Sequence, residues 1–462
     1  MLLPMSPTSS MFLLAESREH PMHVGSLQLF QPPAGSDALD VRAMFDQAIT
    51  DDEVAPLFLK RPRRSITSLG QWGWENDEQF DLEHHVRRNA LPRPGRVLDL
   101  LVLCSRLHST LLDRNRPLWE MHLIEGLEDG RYAVYFKVHH ALVDGVSALR
   151  LLARMLSSDG EERGMPAPWA PRELGPRPER ERKVTNLPAT AAKEAAALLS
   201  DAAGIGPALA RTVNRARKDE GGAVSFAAPR SMFNVKITGA RRFAGQSWPM
   251  ARIKAVGKAS ETTVNDVLLA MCSGALRQYM TSLDALPAEP LIAMVPVSLH
   301  GDEPIGGDGG GNAVGAVMVN LGTNLDDAGD RLAVVHRSMG EGKDAMRSMS
   351  QLQILAMSGV GMAPLALLPA LGLVESVRPP FNLIISNVPG PREPLYWNGA
   401  RLDGLYPLSI PLDGQALNIT CTSYDTAIAF GLTGCRRTVP HLQRLLTHLD
   451  DELRALEHAV GV

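Results

Sequence analysis

Cysteine is scarce in this chain of 462 residues: the four that occur, Cys104, Cys272, Cys421 and Cys435, lie far apart, with no CxxC pair among them. That scarcity excludes a dense disulfide framework and suits buried thiols in a reducing, cytoplasmic setting. An excess of positive charge is also missing. Forty-seven basic residues stand against 51 acidic ones, a formal charge of -4, and no long basic run marks a DNA-binding arm. Nucleic acid is therefore not an expected partner. The chain has no GxSxG turn for a serine nucleophile, no HExxH helix for zinc and no GxxxxGK loop for phosphates. Residues 306 to 311 do not match GxGxxG in any register and read as a flexible connection. The opening stretch MLLPMSPTSSMFLL has no basic n-region and puts Pro4 and Pro7 before its apolar residues, so it reads as mature sequence.

What is present is ordinary for a globular protein: 45% hydrophobic and 21% charged residues, and enough length for two domains. One charge-free run, residues 348 to 374, exceeds the roughly 20 residues of a membrane span. Pro364, Pro369 and several glycines break it, so it is expected to form a broken amphipathic or buried helical pair that can also touch a lipid surface.

Strand-like and helix-like patterns alternate along the chain, which predicts a mixed α/β fold. Residues 1 to 157 form the expected first domain, with strands at 23 to 30 and 131 to 140 and a helix at 97 to 113. Residues 158 to 229 read as a linker, because 158 to about 185 are rich in Pro, Gly and charge and an Ala-rich helical stretch follows from 188 to about 218. The second domain, 230 to 462, is expected to hold a helix at 262 to 283, strands near 290 to 298, 313 to 321 and 381 to 386, and a C-terminal helix from about 439.

The stretch RYAVYFKVHHALVDGVSALRLLARML, residues 131 to 156, carries the chemistry. Period two places Tyr132, Val134, Phe136, Val138 and His140 on one face, and Ala133, Tyr135, Lys137 and His139 on the other. The two histidines point opposite ways. Val146, Leu149, Leu152, Ala153 and Leu156 then recur at helical spacing, so Asp144 and Gly145 stand where a helix begins, and Asp144 is placed to cap it. A rigid strand end thus presents one imidazole, largely neutral yet basic enough to draw a proton from a hydroxyl. By contrast His84 and His85 lack the following xxxDG and are expected to orient a loop or lie at the surface.

Residues 139 to 145 match the HHxxxDG motif of the CoA-dependent acyltransferase superfamily. The blocks PMHVGSLQLF (21 to 30), RPLWEMHLIEGL (116 to 127), TTVNDVLLA (262 to 270), VPVSL (295 to 299) and ISNVPGPREPLYWNG (385 to 399) resemble those of the bacterial wax ester synthase/diacylglycerol acyltransferase family. The resemblance spans nearly the whole chain in order. It implies two lobes of the chloramphenicol acetyltransferase type with the active site at their interface, and transfer of a long-chain acyl group from acyl-CoA to a fatty alcohol or diacylglycerol without a covalent acyl-enzyme. Acyl-CoA is then a substrate, and no cofactor or metal is implied.

By the same resemblance His140 is the general base, His139 supports its loop, and Asp144 and Gly145 shape the turn. Asn265 and Asp266 fall at the start of a helix whose apolar positions Val264, Val267, Leu268, Met271 and Ala275 are periodic, so that terminus is placed near the developing oxyanion, with Asn265 the preferred contact. A plain helix cap is the alternative. Pro117, Leu118 and Trp119 read as a packed turn, either core or tunnel wall, and Ser386 and Asn387 as a rigid interface loop that the family places near the channel. Arg241 and Arg242 are candidates for the CoA phosphates, against a solvated-surface alternative. The expected partners are the two substrates and the surface of a membrane or lipid inclusion. A condensation-type enzyme served by a carrier protein, and a non-catalytic lipid-binding protein of the same fold, are the rivals.

Overall fold

Period-two runs become strands and period-3.6 runs become helices in the computed structural model, which describes residues 3–36, 38–50, 53–64, 72–143, 145–171, 228–298, 314–347, 374 and 378–462. The first half comprises β1 (Leu3–Pro4), α1 (Pro7–Ala15), β2 (His23–Gln31), α2 (Ala38–Ile49), β3 (Lys60–Arg64), β4 (Trp72–Asn76), α3 (Leu82–His85), β5 (Val86–Ala90), α4 (Val97–Ser109), β6 (Trp119–Glu125), β7 (Tyr132–His139) and α5 (Gly145–Arg154). The second comprises β8 (Arg241–Pro249), α6 (Met250–Ala259), α7 (Val264–Thr281), β9 (Ile292–Ser298), β10 (Val314–Asn320), α8 (Ala328–Arg347), β11 (Leu383–Val388), β12 (Tyr396–Trp397), β13 (Ala400–Leu408), β14 (Leu417–Tyr424), β15 (Ala427–Cys435) and α9 (Arg444–Val460).

Two six-stranded mixed sheets form the two lobes, in the orders β12-β13-β2-β7-β6-β5 and β10-β9-β11-β14-β15-β8, and β1, β4 and β3 make a small third sheet. β7 lies inside its sheet and is buried along its whole length. Its even face, with Val134, Phe136 and Val138, joins Trp119, Phe58 and Trp169 in one core; its odd face, with Ala133 and Tyr135, joins Leu27, Leu100 and Phe243 in another. Both faces are apolar because helices and the second lobe cover them, as expected of a central strand.

A buried charge stabilises the odd face. Lys137 is fully buried, pairs with Glu120 Oε2 at 3.0 Å and donates to the Leu107 and Thr110 carbonyls at the end of α4. It therefore adds a charged donor at the helix end, where carbonyls run short of backbone partners; the Leu107 carbonyl also accepts the Thr110 N–H at 3.3 Å. Burial opposes the Glu120 charge, but His122 and Lys137 hold its carboxyl down at about 2.

Two elements differ from the sequence reading. β12 and β13, which lie in the stretch assigned to the second domain, pair onto β2 and complete the first sheet. Such a crossover depends on a partner strand some 370 residues away, beyond the reach of local pattern. The crossing needs a close approach at Gly431 of β15, where an added Cβ would lie 1.9 Å from the Pro407 carbonyl oxygen. In addition, the expected linker is exposed at its start but turns inward after residue 164: Met165, Ala167, Trp169 and Ala170 are buried in the first core. The Ala-rich stretch, residues 306 to 311 and nearly all of 348 to 374 lie outside the described residues.

Candidate active site

β7 stops at His139 because the chain folds sharply there: the Leu142 and Val143 N–H groups both donate to the His139 carbonyl, at 2.9 and 3.3 Å. The His139 N–H donates in turn to the Leu118 carbonyl at 3.0 Å, which is what the Pro117-Leu118-Trp119 turn contributes. Leu118 packs with Leu13, Leu112 and Ala141, while Trp119 is core, its indole N–H held by the Phe58 carbonyl at 2.8 Å. Pro117 is buried as well.

His139 is sealed from solvent, and its Nδ1 accepts the Ala141 N–H at 3.0 Å. That acceptor role puts the imidazole proton on Nε2, 3.3 Å from Glu16 Oε1. The same carboxylate accepts the Met22 N–H at 3.2 Å and is gripped by Arg114 at 2.8 Å. Burial raises the Glu16 pKa, but the His139, Arg114 and Met22 contacts outweigh it and keep the carboxyl below its ordinary value. Met22 then closes the circuit: its carbonyl accepts the His140 N–H at 2.8 Å. Glu16 thus ties together both supports of His140, the preceding residue and the facing strand entry.

His140 itself is half-buried, and its ring stacks on Phe12 of α1 with centroids 4.1 Å apart and planes at 22°. Phe12, Glu16 and Arg114 went unnoticed in the sequence, since nothing local links residues 12 to 16 to position 140; Glu16 sits only a few residues before the PMHVG block. Asp144 lies outside the described residues. Gly145 begins α5, and an added Cβ there meets nothing within 4 Å, so close packing is not what requires a glycine.

In the second lobe, α7 opens with a reciprocal cap. Thr263 Oγ1 accepts the Asp266 N–H at 3.2 Å, and Asp266 Oδ2 accepts the Thr263 N–H at 3.0 Å. His336 of α8 also meets Asp266 Oδ2, at 2.8 Å. Asp266, buried and doubly engaged, therefore builds the helix terminus, which leaves the neighbouring half-buried Asn265 to face outward from it. Asn387 Nδ2 donates to Asn265 Oδ1 at 3.4 Å, and Ser386, also half-buried, precedes it on β11. The strand end reaches the other lobe, for Val388 packs in the same core as Val138 and Val143. Gly390 allows the following turn to lie against β14, where a Cβ would come within 2.1 Å of the Ser423 carbonyl oxygen.

One member of the arginine pair is a correction. Arg241 is 2% exposed and spends its guanidinium on the Thr238 and Glu19 carbonyls, while its N–H donates to Ser109 Oγ. It is a tie between the lobes, with burial pushing its pKa down to about 10, and not a surface phosphate contact. Arg242 is half-buried. His85 is likewise no surface residue: it is 1% exposed, stacks on Trp119 and Phe80, and bonds the Trp119 carbonyl at 2.8 Å, with burial lowering its pKa to about 4. His84 beside it is half-buried.

Residues 5–268 match the family model of the wax ester synthase/diacylglycerol acyltransferase catalytic domain, and residues 310–457 match the model of its C-terminal domain. The chain is 50% identical over 461 residues, 99% of each protein, to tgs2 of Mycobacterium tuberculosis, named a probable diacylglycerol O-acyltransferase. Among solved structures, the wax ester synthase/diacylglycerol acyltransferase of Marinobacter aquaeolei VT8 is 44% identical and superposes with a TM-score of 0.77, covering 99% of this chain and 100% of that one. The first condensation domain of the calcium-dependent antibiotic synthetase, 15% identical, shares the fold at a TM-score of 0.59 over 100% of this chain and 97% of its own.

Proposed function

This chain belongs to the wax ester synthase/diacylglycerol acyltransferase family, and from that premise we propose that it moves a long-chain acyl group from acyl-CoA to the hydroxyl of a diacylglycerol or a long-chain alcohol, with His140 as general base. The observation that carries this reading is the pinning of His140 at a strand end, through Met22, His139 and Glu16, with its ring face set against Phe12. His140 takes the hydroxyl proton as the oxygen attacks the thioester carbonyl. The tetrahedral intermediate collapses, the C–S bond breaks, and the proton passes to the departing CoA thiolate, giving ester and free CoA. Direct transfer needs no nucleophile on the protein.

Asn265, at the positive end of α7 and beside Asn387, is the proposed contact for the oxyanion. The names of relatives at 50% identity favour diacylglycerol as acceptor. Arg242 remains the candidate for a CoA phosphate. Peripheral contact with a membrane or lipid inclusion at the cytoplasmic side is supported by α1, which exposes Met11 (63%) and Leu14 (64%) while turning Phe12 onto His140. Among the described residues no helix is long and apolar enough to cross a membrane.

Purified protein incubated with palmitoyl-CoA and either dioleoylglycerol or hexadecanol tests the reading by thiol release and ester formation. His140→Ala is expected to lose about 10²- to 10⁴-fold in turnover. Full activity in that variant removes His140 as base, and activity only with an acyl carrier protein replaces acyl-CoA as donor.

A further inference from the structure

A cavity of about 570 Å³ opens at the end of β7 opposite to His140. Tyr132 lines it, and the eight residue steps of extended chain from Tyr132 to His140 span roughly 26 Å. The core side chains of Phe136 and Val138 fill the face between. The cavity is therefore separate from the catalytic histidine.

Its floor is apolar and buried, made by Val41, Ala48, Met165 and Ala167, and its volume is that of a small-molecule site. Ser36, Gln47, Thr50 and Asn398 also line the cavity, and Tyr132 supplies a buried polar point. The side chain is 2% exposed and its ring is clamped, stacked on Phe30 at 5.2 Å and edge-on to Phe45 at 5.4 Å. Its hydroxyl has one partner among the described residues, Met44 Sδ at 4.0 Å, and Met44 lines the same cavity. A thioether at that distance is a poor acceptor, so a buried phenol that ordinarily finds an oxygen or nitrogen partner lacks one here. The rim carries one charge of each sign, Asp40 on α2 and Arg163 across from it. A charged head group gains from one and is repelled by the other; an uncharged hydroxyl is not.

We propose that this cavity is a second lipid site, which holds one acyl chain bearing an uncharged hydroxyl head, the chemistry shared by a long-chain alcohol and a monoacylglycerol. The chain lies on the apolar floor, and the head oxygen accepts the Tyr132 hydroxyl.

The test is calorimetric titration of the whole protein with 1-dodecanol in the absence of acyl-CoA. Tyr132→Phe, which removes one oxygen, is expected to weaken one class of site about three- to tenfold. Ala48→Phe, which fills the floor, is expected to remove one equivalent of binding while palmitoyl-CoA turnover persists. Unaltered dodecanol binding in Tyr132→Phe overturns the proposal even if Ala48→Phe fails to fold, and dodecanoate binding there as tightly as the alcohol overturns the uncharged head. Because no acyl transfer takes place in this titration, failure of the His140 reading leaves its outcome unchanged.

Discussion

Glu16 offers the sharpest test of how the site is held. Glu16→Gln keeps the shape and one amide oxygen but removes the charge that faces Arg114 and the His139 Nε2 proton. Glu16→Ala removes every acceptor, leaving the Met22 N–H and the His139 Nε2 without partners in a buried place. Each such orphaned group costs about 1–3 kcal/mol. Arg114 is about one-third exposed and can turn to water, so its share is discounted, and about 3 kcal/mol is expected in total for the alanine variant. Catalysis should suffer beyond stability, because Met22 and His139 are what position His140. A shift of about 1 Å in a reacting group costs on the order of 10²-fold. For Glu16→Gln we expect kcat to fall about ten- to a hundredfold with KM for palmitoyl-CoA within about twofold, measured at a temperature where circular dichroism shows the variant folded. Wild-type kcat in a folded Glu16→Gln, or a loss confined to KM, would refute the positioning role.

Three further outcomes are expected. Asn265→Ala should lower kcat more than it lowers CoA affinity, by about 10²-fold if it stabilises an oxyanion, and a loss of affinity alone, read by steady-state kinetics with a CoA competition arm, moves it to a binding role. Gly431→Ala should cost at least about 1–3 kcal/mol in denaturant unfolding, because the new Cβ collides with the Pro407 backbone where β13 crosses β15; an unchanged midpoint means the crossing is looser than described. Acid should destabilise the first lobe. Burial lowers His108 to about 3 and His85 to about 4, so above the unfolded value near 6.5 neither state binds their protons; as pH falls below it the unfolded chain takes them up first. Each should therefore cost about 2 kcal/mol by pH 5, and a thermal midpoint flat from pH 7 to 5 contradicts that burial.

Much was legible in the sequence because it is local. Period two in residues 132 to 139 and period 3.6 after Gly145 sufficed to place a histidine at a strand end before a helix, and both elements are found there. The helix at Asn265 and Asp266 was legible for the same reason, and the reciprocal Thr263 and Asp266 cap is a four-residue signature. What needed tertiary structure is everything that joins distant residues. Glu16 reaches His139, Arg241 turns inward to the Glu19 carbonyl, β13 crosses to β2, and Asn387 meets Asn265, each across a separation no periodicity encodes. A side chain's type and neighbours declare which way it points along its own element; whether that direction ends in solvent, in a core or on a substrate is decided only by what the rest of the chain packs against it.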